Sequence, residues 1–150
     1  MSRFKGLWNG AFLIKNKRNN IMALCGIGVD ICEIERFKKI IDKYDDRFLD
    51  KIFTEKEKDY CRDKINKGAP SYSVRFAAKE ALFKAIGTGL REGLTWKDIE
   101  VENDDLGKPF FNFFGKTKKI IGDRKVSLSL SHSIDSSIAF VIIEGEQIQL

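Results

Sequence analysis

Two carboxylates stand out because of what surrounds them. Asp30 follows two glycines at alternate positions, Gly26 and Gly28, and Glu80 sits among Arg75, Lys79 and Lys84 and a series of alanines, Ala77, Ala81 and Ala85. Two carboxylates are enough protein ligation for magnesium, which keeps most of its octahedral sphere for water and substrate phosphate. Cations beside such a pair suit a polyphosphate ligand, so the chemistry on offer is that of a metal-bound polyphosphate. Plainer readings exist for the same residues. Asp30 is equally a solvated side chain on a glycine-weakened edge strand, and Glu80 to Lys84 is equally an i,i+4 surface pair worth about 0.2–0.5 kcal/mol.

Other chemistries find no support. There is no G-x-x-x-x-G-K-[ST] phosphate loop, no H-E-x-x-H and no G-x-S-x-G. Gly26 and Gly28 open a strand instead of following one, which is the wrong context for a dinucleotide fingerprint. His132 is the sole histidine, so a zinc site would need Cys and carboxylate ligands at spacings the chain lacks. Serines lie near it in sequence, but no local signature marks one as an activated nucleophile.

The elements that must position these residues can be read from periodicity. Residues 26–31 alternate strictly, with Ile27, Val29 and Ile31 on one side and Gly26, Gly28 and Asp30 on the other, predicting a strand with an open polar face. The glycines leave room for a ligand or another backbone beside Asp30. Ile34, Phe37, Ile41 and Tyr44 then recur at helical spacing, with Arg36, Lys38, Lys39 and Lys43 on the outer surface. A short helix is expected over Asp46 to Ile52. Thr54 with Glu57 three residues on forms a capping box that opens a third helix, to about Lys64. Lys67 to Pro70 break the pattern.

The helix carrying Glu80 is predicted over Ser71 to Ile86, ended by Gly87 and Gly89. Tyr72, Phe76, Phe83 and Ile86 form its bulky stripe and the alanines a low ridge, with Glu80 and Lys84 between the two. Beyond Gly93 the period becomes two: Ile99 and Val101, a turn over Asn103 to Lys108, and a strand over Phe110 to Phe114 make a hairpin. Residues 116–122 read as a short helix or a loop. Val126, Leu128, Leu130 and His132 share one strand face opposite Ser127, Ser129 and Ser131, and Ile138 to Ile143 is an apolar run typical of a buried strand. The order predicts an α+β fold, helices packed on a small, mainly antiparallel sheet.

Composition bounds the function classes. The chain has 150 residues, 43% apolar and 33% charged with 2 Pro, which fits one soluble globular domain, and no apolar run approaches the roughly 20 residues of a membrane helix. Three cysteines, Cys25, Cys32 and Cys61, form no C-x-x-C pair and suit a reducing, cytoplasmic setting. The net charge of +5 is carried by Arg3, Lys5, Lys15, Lys17 and Arg18; residues 22–150 hold 22 basic and 22 acidic residues. Residues 1–21 are therefore expected to be a basic N-terminal extension, flexible or non-native, with the working domain over 22–150. A non-enzymatic basic module for nucleic acid or acidic surfaces is the rival reading, and the neutral remainder counts against it.

The stretches Gly26 to Arg36, GIGVDICEIER, and Arg75 to Gly89, RFAAKEALFKAIGTG, resemble the holo-acyl-carrier-protein synthase family, the small 4'-phosphopantetheinyl transferases. LGKP at 106–109 and SLSHS at 129–133 are similar to further family segments, and the resemblance runs from about Ala23 to the C-terminus. It implies a 4'-phosphopantetheinyl transferase-like fold and an activity: the phosphopantetheine arm of coenzyme A passes to a serine of apo acyl carrier protein, for fatty acid synthesis, and adenosine 3',5'-bisphosphate leaves. It implies that Mg2+ is held by Asp30 and Glu80, that Lys84 contacts phosphate, and that Arg75 and His132 approach the 3'-phosphate. Gly87 and Pro109 would border the nucleotide, and Arg36 and Arg47 would dock the acidic carrier protein. Phe83 stands at a position that can be small or polar in the family, which bears on the shape of the phosphate pocket. The family's small members form homotrimers with shared sites, no nucleic acid or membrane partner being implied. Glu80, Glu57, His132 and a metal-bound water are the candidates for the group that takes the serine proton.

Overall fold

A computed structural model of the chain describes residues 13–15, 21–44, 46–62, 68–91 and 93–149, with side chains from residue 23 onward. Its elements run β1 (Leu13–Lys15), β2 (Ile21–Glu33), α1 (Ile34–Tyr44), α2 (Asp46–Ile52), α3 (Glu55–Arg62), α4 (Gly68–Ile86), β3 (Ile99–Asn103), β4 (Pro109–Phe113), α5 (Gly115–Ile121), β5 (Lys125–His132) and β6 (Ser136–Glu144). Four strands form an antiparallel sheet ordered β1-β2-β6-β5, and β3 and β4 pair as a separate hairpin. This is the expected α+β class. The stretch read as a short helix or a loop forms α5, Gly115–Ile121, with Gly122 as its cap. Of the expected basic extension, residues 1–12 and 16–20 lie outside the described residues, while Leu13–Lys15 pair with Ile21–Ala23.

Helix α4 is the axis of the molecule. It begins at Gly68, three residues before the predicted start, because Pro70 falls in its first turn, where a missing N–H costs nothing. One side packs on the sheet, where Ala77, Ala81, Ala139, Val141 and Ile143 are all fully buried. Another meets a second cluster in which Phe37 of α1, Leu49 and Ile52 of α2, and Phe53 just beyond it pack on Tyr72. Burying Phe37 and Phe53 this completely is worth roughly 1.5–3 kcal/mol each. Trp96 bridges the clusters, stacked on Phe76 and edge-on to Phe83.

The capping box forms as read. Thr54 N donates to Glu57 Oε2 at 2.9 Å, and Glu57 N donates to Thr54 Oγ1 at 3.3 Å.

The faces of the sheet are reversed from expectation. The glycine and aspartate side of β2 is covered, and its apolar side is open, with Ile27, Val29 and Ile31 all more than half exposed. The cause is close approach of a helix. A Cβ on Gly28 would lie 1.9 Å from the carbonyl oxygen of Ala81, and one on Gly26 2.4 Å from that of Ala85. The glycines and the alanine ridge therefore admit each other's backbones, and the space they leave is filled by protein. Strand β6 is likewise buried on one side only: Ser137, Ala139, Val141 and Ile143 face α4, while Ile138 and Phe140 are exposed.

Candidate active site

Close packing of α4 on β2 brings Asp30 to the edge of the helix. Lys84 Nζ donates to Asp30 Oδ1 at 2.8 Å and to the carbonyl of Val29 at 3.0 Å, with Asp30 largely covered and Lys84 half exposed. Lys84 thus turns to Asp30, not to its i,i+4 neighbour Glu80. Glu80, half-buried one turn earlier, has its carboxyl raised above the ordinary value, first by burial and then by the Asp30 charge, with Lys84 opposing. Among the described residues nothing donates a hydrogen bond to Glu80. Two carboxylates close enough to repel, one without a donor, form a donor set suited to a hard divalent cation. Cys32, on the same strand face as Asp30, has its thiol pushed up to about 11 by burial and then by Asp30, which disfavours the thiolate a nucleophile needs.

A second feature lies on the other flank of α4. A cleft of about 560 Å³ is lined by Arg75, Asn103, Pro109, Leu130, His132 and Ile134, among others. Arg75 and Glu80 are five residues apart, which separates them by roughly 140° around the helix axis. Asp30, at the other edge of β6, is joined to Leu130 only through Ala139, under the helix. The chain therefore gathers Asp30, Glu80 and Lys84 in one place and Arg75, Pro109 and His132 in another.

A family model described as the 4'-phosphopantetheinyl transferase superfamily matches residues 26–137, a span that includes both clusters. The chain belongs to this superfamily. Among its relatives, the holo-[acyl-carrier-protein] synthase of Geobacter metallireducens is 44% identical over 122 residues, covering 79% of this chain and 96% of the relative. That of Clostridium tetani is 47% identical over 126 residues, covering 82% and 98%. The crystal structure of the Bacillus anthracis holo-(acyl-carrier-protein) synthase, in complex with CoA (3',5'-ADP), superposes with a TM-score of 0.70 at 38% identity, covering 82% of this chain and 98% of that one.

Within this transferase fold several residues singled out from the sequence prove to do other work. Lys79, taken as a cation beside Glu80, points away from it and is fully buried, donating to Glu57 Oε2 and the carbonyl of Ile52 at 2.7 Å and to that of Trp96 at 3.2 Å. Glu57, a candidate base, is 1% exposed, and its second oxygen accepts from Val101 N at 3.0 Å. No substrate hydroxyl can reach it. Phe83 packs in the core against Trp96. Gly87, at φ +94, ends α4 by donating its N–H to the carbonyl of Phe83 at 3.0 Å, a helix stop that already accounts for glycine there. Arg36 and Arg47 are exposed on α1 and α2, Arg36 beside Lys39 and Lys43 on one face. Asn103, which sequence reading passed over as a turn residue, lines the cleft and holds Arg75.

Proposed function

We propose that this protein is a holo-[acyl-carrier-protein] synthase: it transfers 4'-phosphopantetheine from coenzyme A to a serine of apo acyl carrier protein, releasing adenosine 3',5'-bisphosphate. The observation that carries the reading is the Asp30, Glu80 and Lys84 cluster, which the transferase family match spans. The serine oxygen attacks the β-phosphorus, the bond from that phosphorus to the bridging oxygen breaks, and the nucleotide leaves with the electron pair. Lys84 supplies charge to the pyrophosphate, Arg75 and His132 hold the 3'-phosphate, and Pro109 borders the nucleotide. Asp30 and Glu80 would hold Mg2+, which supplies charge neutralisation and in-line orientation when bound. The serine proton passes to a group at the open cluster, for which Glu80, His132 and a metal-bound water are the candidates.

The separation of the two clusters favours a homotrimer in which the nucleotide cleft of one subunit faces the carboxylates of the next. A surface suited to such assembly exists: Ile27, Val29 and Ile31 pair in register with Ile142, Phe140 and Ile138. Five of these six are more than a third exposed, an apolar patch that a monomer would leave wet. The acidic carrier protein would dock on Arg36, Arg47 and the basic face of α1. Three free cysteines suit a cytoplasmic enzyme of fatty acid synthesis. Among the described residues, no helix is long and apolar enough to cross a membrane.

Mass spectrometry of apo acyl carrier protein after incubation with the protein, coenzyme A and magnesium tests this directly. A carrier heavier by one phosphopantetheine arm is expected, and chelation, Asp30→Ala or Glu80→Ala should each abolish the gain. An unmodified carrier, or an arm added equally well by either variant, would overturn the reading.

A further inference from the structure

Arg75 is held more firmly than a cleft-lining arginine needs to be. Its side chain is almost fully buried; Nη1 donates to the Ser71 carbonyl at 3.3 Å, and the guanidinium carbon lies 3.9 Å from the centre of the Tyr60 ring. Asn103 gives a side-chain hydrogen bond, its Oδ1 accepting from Nη2 at 3.1 Å. Nε, buried, has no partner among the described residues. Asn103 also acts at its other end. Its Nδ2 donates to the carbonyl of Gly107 at 2.9 Å, two residues before Pro109, in the turn joining β3 to β4. One amide thus ties two walls of the cleft together, the α4 wall through Arg75 and the hairpin wall through Gly107.

We propose that Asn103 is the positioning residue by which the protein distinguishes coenzyme A from dephospho-coenzyme A, because it aims Arg75 at the 3'-phosphate while holding the turn that carries Pro109. This rests on the reading that Arg75 meets that phosphate. A free arginine must be ordered when an anion binds, which weakens affinity; Tyr60, Ser71 and Asn103 order this one beforehand. An amide suits the task better than a carboxylate. An aspartate at 103 would still accept from Arg75, but it would neutralise the guanidinium, stand as a like charge beside the phosphate and lose the donor to Gly107.

The test is steady-state transfer to apo carrier protein with each of the two coenzymes, in the unaltered chain and in Arg75→Ala, Asn103→Ala, Asn103→Asp and the Arg75→Ala/Asn103→Ala double variant. Asn103→Ala should raise KM for coenzyme A on the order of tenfold, the scale of a hydrogen bond to a charged group, with much less effect on kcat or on KM for dephospho-coenzyme A. Asn103→Asp should lose at least as much of the preference, and the double variant should be no worse than Arg75→Ala, since the two act as a unit. If Arg75→Ala collapses the preference while Asn103→Ala keeps it, Asn103 has no such role. A parallel loss for both coenzymes in Asn103→Ala means a structural role only and equally overturns the proposal. Should Arg75→Ala itself keep the preference, the assignment of Arg75 falls, and this inference with it.

Discussion

Helix α4 carries two lysine–carboxylate pairs of nearly equal length in opposite surroundings. Lys79 and Glu57 meet at 2.7 Å with both side chains fully buried, and Lys84 and Asp30 meet at 2.8 Å at the surface. The first pair is saturated. Lys79 has three acceptors, and Glu57 accepts from Thr54 N, Val101 N and Lys79, so the network fastens α3, α4 and β3 to one another. Burial pulls the Lys79 ammonium below its ordinary pKa and the Glu57 charge opposes that, the balance of a buried ion pair. The second pair leaves capacity unused, and Glu80 beside it has no donor among the described residues. The same two functional groups make a lock where every ammonium proton has an acceptor and a site where capacity is left open.

The sharpest way to break that contrast is to remove each lysine. Lys79→Ala strands Glu57 in the core and should lower folding stability by about 3–5 kcal/mol in urea unfolding. Lys84→Ala should change stability by less than about 1 kcal/mol, as expected of an exposed pair. Transfer by that variant should nonetheless fall about 10²-fold, the scale of one lost donor to a charged transition state. If Lys84→Ala unfolds the protein while Lys79→Ala stays folded with little loss, the roles are reversed.

A second test concerns the flanks of the helix. Asp30→Ala damages one cluster and Arg75→Ala the other. If the working site joins two subunits, refolding the two variants together should restore activity at low coenzyme A to about a quarter of the unaltered level, since random mixing leaves that share of interfaces intact in a closed homo-oligomer. Activity no higher than the mean of the two variants would place both halves of the site within one chain.

The sequence made some of this legible and not the rest, for a definite reason. Alternation around Asp30, the alanine ridge and the Thr54 to Glu57 capping box are patterns of neighbours within one element, and each appears in the structure. What covers a face is decided by another element. Period two says that Ile27, Val29 and Ile31 share a side, but only the fit of Gly28 against Ala81 shows that the opposite side takes the helix. Likewise Lys79 and Lys84 both read as cations next to Glu80. Their different roles depend on Glu57 and Asp30, which lie 22 and 54 residues away along the chain. Asn103 carried no signal beyond a turn residue, because its two partners, Arg75 and Gly107, meet only when the hairpin packs against α4.

The smallest effect expected is the most specific to the open cluster. The Glu80 carboxyl is raised from its ordinary value of 4.5 by burial first and by the Asp30 charge second. Folding therefore favours its protonated form, so ionised Glu80 opposes folding at neutral pH. That opposition is fully present above the raised pKa, shrinks as pH falls through it, and is gone below the unfolded value, where both states are protonated. Without metal at pH 7, Glu80→Gln should accordingly raise the thermal midpoint, by about 1–2 °C given the screening of a partly exposed group. The gain should disappear near pH 4. Magnesium with coenzyme A should reverse the order, stabilising the unaltered chain and not the variant, because only the former offers both carboxylates. A variant less stable than the parent at pH 7 without metal would show that Glu80 belongs to the fold, as Glu57 does, and would remove the distinction between the two pairs.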